Sequence, residues 1–113
     1  MRIILAVLLI LFTSSAHAEY PLKLYNEVKQ RGDVKAYFTG FGRGISWADS
    51  VSEKVNGKRL FCVPPKLGMD EPIIQSLIEQ EIREPSDGKP YDQDTPVELI
   101  TVKAFLSKFP CNK

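Results

Sequence analysis

Three groups of residues in this chain have the types and spacing for chemistry. The stretch TGFGRGISWA, Thr39 to Ala48, carries glycines at 40, 42 and 44, and a GxGxG run can wrap a phosphate. Two acidic pairs, Glu79 with Glu81 and Asp92 with Asp94, could in principle act as acid and base, since glycoside hydrolysis needs only two carboxylates. The two thiols, Cys62 and Cys111, could be nucleophiles, metal ligands or a disulfide. What each group does depends on the elements that hold it.

The glycines fail the phosphate test. A phosphate loop joins a strand to a helix, whereas here Val34, Tyr37, Phe38, Phe41, Ile45, Ala48, Val51 and Val55 recur every three or four residues. That spacing predicts one helix from about 34 to 55, stopped by Asn56-Gly57. Within it Ala36, Gly40, Gly44 and Ala48 are spaced by four, a ridge with nothing larger than a methyl group on which another helix can close. Three helical glycines cost on the order of 2–3 kcal/mol, which such packing must offset. The chain's own last helix or a second copy could supply the contact. Trp47 is expected in the core, and Arg43 and Asp49 on the surface.

The acidic pairs fare no better as catalysts. Glu79 and Glu81 project about 200° apart on a helix, and Asp92 and Asp94 fall in a solvated loop with nothing to raise one pKa. The one histidine, His17, lies in a segment that should be removed. Residues 1–18 combine Arg2, an apolar run from Ile3 to Phe12 and a small-x-small end at Ala16-His17-Ala18, which reads as a secretory signal cut after Ala18. The apolar run is about half the roughly 20 residues that cross a bilayer. Without histidine, Ser-His or Cys-His nucleophiles and His-ligated zinc are excluded. No enzyme activity, cofactor, metal or nucleic-acid partner is implied. In an exported chain of two cysteines, Cys62 and Cys111 pair with each other.

Residues 19–113 are then one domain, and they read as helices throughout. Helical spacing covers 22–30, and Gly32-Asp33 marks a stop followed by a new N-cap. LFCVPPKLG, from Leu60, is a proline-punctuated connector. Asp70 caps a helix with Ile73, Ile74, Leu77, Ile78 and Ile82 on one face, ending before Pro85. PSDGKPYDQD, residues 85–94, is a long loop of turn formers and charges with one aromatic, Tyr91. Thr95-Pro96-Val97-Glu98 is a capping box, and the helix after it, to about Lys108, is apolar on most of its circumference and should be central. The fold expected is all-α, a disulfide-stapled bundle of about four helices. Charge is segregated along it: residues 20–69 carry nine basic and four acidic side chains, and residues 70–98 nine acidic and two basic. The acidic part could face a basic partner.

Tyr37-Phe38-x-Gly40-x-Gly42-x-Gly44-Ile45-x-Trp47-Ala48, then Leu60-Phe61-Cys62-x-Pro64, then Phe109-Pro110-Cys111 resemble the Rap/Tai-type immunity proteins of bacterial type VI secretion. The resemblance implies a small helical periplasmic protein, often a dimer, that binds a cell-wall amidase toxin and blocks its groove with a loop between late helices. The matching place here is residues 85–94. The contact set expected is Asp87, Gly88, Lys89, Tyr91, Asp92 and Asp94, with Tyr91 as anchor and the aspartates meeting basic groups. Two alternatives share the same features: an acid-stress periplasmic chaperone of the HdeA type, driven by protonation of its carboxylates, and an inhibitor of a lysozyme-type hydrolase.

Overall fold

The computed structural model describes residues 19–111; the export signal expected over residues 1–18 lies outside them. The described residues form four helices and no strand: α1 Leu22–Val28, α2 Gly32–Asn56, α3 Glu71–Arg83 and α4 Val97–Lys108. α2 stops where Gly57 turns to φ +70° and its amide donates to the Glu53 carbonyl at 2.8 Å, a left-handed cap that favours glycine. α3 starts as expected, with the Asp70 carboxylate accepting from the Ile73 amide at 3.3 Å. α3 and α4 pack on each other most extensively, and the first half of α2 closes over them.

The core is built from Val34 and Phe38 of α2, Ile74 and Ile78 of α3, Ile100 and Phe105 of α4, and Phe61 of the connector. Tyr25 of α1 sets its ring edge-on to Phe38 at 5.3 Å. α4 is the central element expected, with Val97, Ile100, Thr101, Ala104 and Phe105 buried, although Leu99 and Leu106 face solvent. Cys62 and Cys111 are joined, 49 residues apart, and the Cys62 amide donates to the Phe109 carbonyl at 2.8 Å. The staple thus fastens the connector to the end of α4. Closing a loop of that length contributes about 4 kcal/mol in the chain-entropy picture.

Several local expectations change in the folded chain. The ridge of Ala36, Gly40, Gly44 and Ala48 is exposed, and a Cβ on Gly40 or Gly44 would meet nothing within 4 Å. The glycine that permits close packing is Gly42, where a Cβ would lie 2.9 Å from the Ile74 side chain. The reason is rotational: Val34, Phe38, Gly42 and Asp49 define the buried face of α2, and the ridge lies on the far side of the same helix. Trp47, expected inside, is 72% exposed for the same reason. Asp49, expected on the surface, is 3% exposed; it accepts from the Leu60 amide at 2.6 Å and from Arg59 Nε at 3.2 Å, pinning the connector to α2.

Neither of two expected caps forms. Asp33 sits inside the first turn of α2 and pairs with Arg31, whose guanidinium, first through a hydrogen bond, holds the Asp33 carboxyl below its ordinary value. In the Thr95–Glu98 box the Glu98 carboxylate turns instead to the Tyr20 amide at 3.1 Å and the Tyr37 hydroxyl at 2.7 Å. A tertiary contact displaces the local one: the segment before α1 lies beside residues 93–97, pairing Pro21 with Pro96. The Tyr20 carbonyl accepts the Val97 amide at 2.8 Å, so the first turn of α4 is satisfied from outside its own sequence.

Candidate functional site

Residues 84–96, between α3 and α4, form an ordered loop held at both ends. α3 ends where Glu84 leaves helical dihedrals, at φ −127° and ψ 75°, just ahead of Pro85. One turn earlier Glu81 stands on the buried face of α3, 3% exposed, in register with Ile74, Leu77 and Ile78. Its Oε1 accepts from the Ser86 amide at 3.0 Å and from the Tyr91 hydroxyl at 3.0 Å. A buried carboxylate must be satisfied by donors, and here the loop supplies them. Burial, then the Glu81 hydrogen bond and charge, push the Tyr91 hydroxyl up to about 12.

The loop's conformation is built locally. Gly88 adopts φ +77°, which a side chain would strain. Its amide donates to the Pro85 carbonyl at 2.9 Å, and the Lys89 amide donates to Asp87 Oδ1 at 3.1 Å. Lys103 of α4 leans over the Tyr91 ring, 5.3 Å from its centroid, and reaches Asp87 Oδ2 at 3.9 Å; both charged groups are exposed, so the ion pair contributes little. At the far end the Lys23 and Leu22 amides donate to the carbonyls of Gln93 and Thr95, at 3.0 and 2.9 Å.

Of the six contact residues expected in this loop, five face solvent: Asp87, Gly88, Lys89, Asp92 and Asp94. Tyr91 is different. It is half-buried and its hydroxyl donates to Glu81, so it supports the loop from below. The residue that sequence reasoning missed is Glu81. Its signal was present, a carboxylate in phase with an apolar row. Glu79, two residues away, also has a structural partner set, accepting from the Tyr25 hydroxyl at 3.1 Å and Lys29 Nζ at 3.3 Å. Burial first, then the Glu79 charge, drives the Tyr25 hydroxyl well above its ordinary value. Glu79 and Glu81 therefore serve two different junctions and share no site.

A second concavity, of about 420 Å³, lies between α2 and the connector, lined by Arg43, Trp47, Arg59, Pro64, Leu67 and Met69 among others. Its arginines are already engaged, Arg43 Nε with the Met69 carbonyl and Arg59 Nε with Asp49 and Glu53. Ser46 Oγ, also on its lining, is buried with no hydrogen-bond partner. Among the described residues no group of three or more acidic, histidine or cysteine side chains is placed to hold a metal ion.

Compared with family models, curated proteins and solved structures, the chain has no match. The geometry of the 85–94 loop is an exposed acidic tip on a hydrogen-bonded base.

Proposed function

We propose that this chain is a periplasmic immunity protein that neutralises a cell-wall amidase of type VI secretion by presenting residues 85–94 to the enzyme's groove. The observation that carries this reading is the construction of that loop. Its tip is exposed and its base is tied to a buried carboxylate, so it need not lose conformational freedom on binding, and preorganisation of that kind raises affinity. Asp87, Asp92 and Asp94 offer three carboxylates against Lys89 of the loop and Lys103 of α4 beside Asp87, an excess of negative charge that would steer the loop toward a basic groove. The disulfide fits an oxidising compartment such as the periplasm. Tyr91 holds the loop in shape, and the aspartates make the contact.

The reading is tested by co-expression. Cells exporting a type VI amidase effector should survive when this chain is exported with it, and should lyse when Asp87, Asp92 and Asp94 are all replaced by lysine. Lysis with the unaltered chain across a panel of amidase effectors would withdraw the proposal. The acid-chaperone alternative predicts a different result: suppressed aggregation of a client protein at about pH 2–3, where carboxylates are protonated.

A further inference from the structure

The recess between α2 and the connector stays open because of how its far wall is fastened. At one end the Leu60 amide is fixed to Asp49 of α2, and at the other the Met69 carbonyl accepts from Arg43 Nε at 2.9 Å. Between those ties Pro64 and Pro65 restrict the backbone, and the Leu67 amide closes a turn on the Pro64 carbonyl at 3.0 Å. Pinned at both ends, the wall stands off the helix. The space left, about 420 Å³, falls within the range of small-molecule sites, whereas a protein partner would spread over a much larger surface.

Arg43, Ser46 and Trp47 share one face of α2, at intervals of three and four, and all three line the recess. Arg59, also on the lining, has its charge answered by Asp49 and Glu53. Arg43 does not: with Nε fixed on the Met69 carbonyl, its Nη atoms have no partner among the described residues. Its guanidinium is oriented and its charge is unanswered. Ser46 Oγ is buried with no hydrogen-bond partner, and such a hydroxyl carries a standing cost until an acceptor reaches it. Both groups are donors, and the forked end of a guanidinium matches the paired oxygens of a carboxylate. Beside them Trp47, 72% exposed, faces the connector's Pro64, Leu67 and Met69. Those side chains suit an aromatic or aliphatic body.

We propose that this recess binds a small organic acid, one carboxylate on an aromatic or aliphatic body, with the carboxylate held by Arg43 and Ser46 and the body against Trp47 and the connector. The walls are fixed before the ligand arrives, so little order has to be imposed on binding. Arg43 selects the acid over a neutral molecule of the same shape, and a cation finds no match because both nearby carboxylates are engaged by Arg59. The recess shares no residue with the 85–94 loop and does not depend on the immunity reading.

Trp47 is the only tryptophan of the chain, so intrinsic fluorescence reports on the recess alone. Hydrocinnamate or octanoate should shift its emission to the blue and saturate at millimolar concentration or below. The matching neutral amides should bind about tenfold more weakly, the worth of a hydrogen-bonded charge, and Arg43→Gln should remove that preference. Because Arg43 also ties Met69, Ser46→Ala supplies a second arm. Deleting an unpartnered hydroxyl should leave the melting temperature level or raise it, yet weaken the acid by about threefold. No saturable shift with either acid, equal affinity for acid and amide, or an acid affinity untouched by both Arg43→Gln and Ser46→Ala would overturn the proposal.

Discussion

Glu81 and Tyr91, ten residues apart, meet at 3.0 Å between a buried carboxylate and a phenolic hydroxyl, and that bond joins the end of α3 to the middle of the candidate binding loop. The same carboxylate oxygen accepts the Ser86 amide. One side chain therefore fixes both where the loop leaves the helix and where it turns back. The exposed aspartates depend on it for position without being near it in function.

Glu81→Ala removes the acceptor of the Ser86 amide and the Tyr91 hydroxyl and should cost about 2–3 kcal/mol, the worth of hydrogen bonds to a buried charged group. Tyr91→Phe keeps the ring under Lys103 and removes one donor, for about 1 kcal/mol. Chemical denaturation of the single and double variants gives the coupling directly. Hydrogen exchange at the Ser86 amide should accelerate in Glu81→Ala.

The glycines of α2 should separate cleanly. Gly42→Ala forces a methyl to 2.9 Å from Ile74, which is 1% exposed and cannot swing away, so the variant should lose about 1–3 kcal/mol. Gly40→Ala and Gly44→Ala meet open space within the chain and should each gain up to about 1 kcal/mol of helix stability. Thermal melts of the three variants check both signs.

Alkaline pH should destabilise the fold. The hydroxyls of Tyr25, Tyr37 and Tyr91 are all raised in the folded chain, Tyr37 and Tyr91 to about 12; for Tyr37 burial leads, followed by the Glu98 hydrogen bond. The folded state holds these protons more tightly than the unfolded one, so their contribution is intact below about pH 10 and declines as pH rises toward the folded values. Denaturation midpoints followed above neutral pH should stay level and then fall, and Tyr91→Phe should lessen the fall.

Removing the disulfide by Cys62→Ser with Cys111→Ser should lower stability by about 4 kcal/mol. The connector would lose its covalent tie to the end of α4, leaving the Cys62 amide on the Phe109 carbonyl there, and Asp49 with Leu60 and Arg59 and Arg43 with the Met69 carbonyl as polar anchors to α2. Melting of the double-serine chain beside the oxidised one measures the difference.

The outline of this fold was legible where local chemistry decides it. Asp70 at the start of α3, Gly57 at the end of α2 and the pairing of Cys62 with Cys111 each follow from one residue's preference. The orientation of α2 was not legible, because two of its faces carry helical spacing and the smaller residue, Gly42, marks the buried one. Trp47 was misplaced for that reason. The Thr95–Glu98 box failed because Tyr20, 78 residues before Glu98, supplies a competing donor. Within the loop its bounds and exposed charges could be read, while the role of Tyr91 depended on Glu81, a carboxylate in phase with the apolar row of α3 whose bonds to Ser86 and Tyr91 only the packed structure reveals.

The most direct measurement is titration of a purified type VI amidase with this chain while following release of peptides from cell-wall sugar strands. The immunity role predicts inhibition that is complete near one chain per enzyme, and that Asp87→Lys with Asp92→Lys abolishes without changing the melting temperature. An amidase that cleaves at full rate in excess chain, or one inhibited equally by the charge-reversed loop, would contradict it.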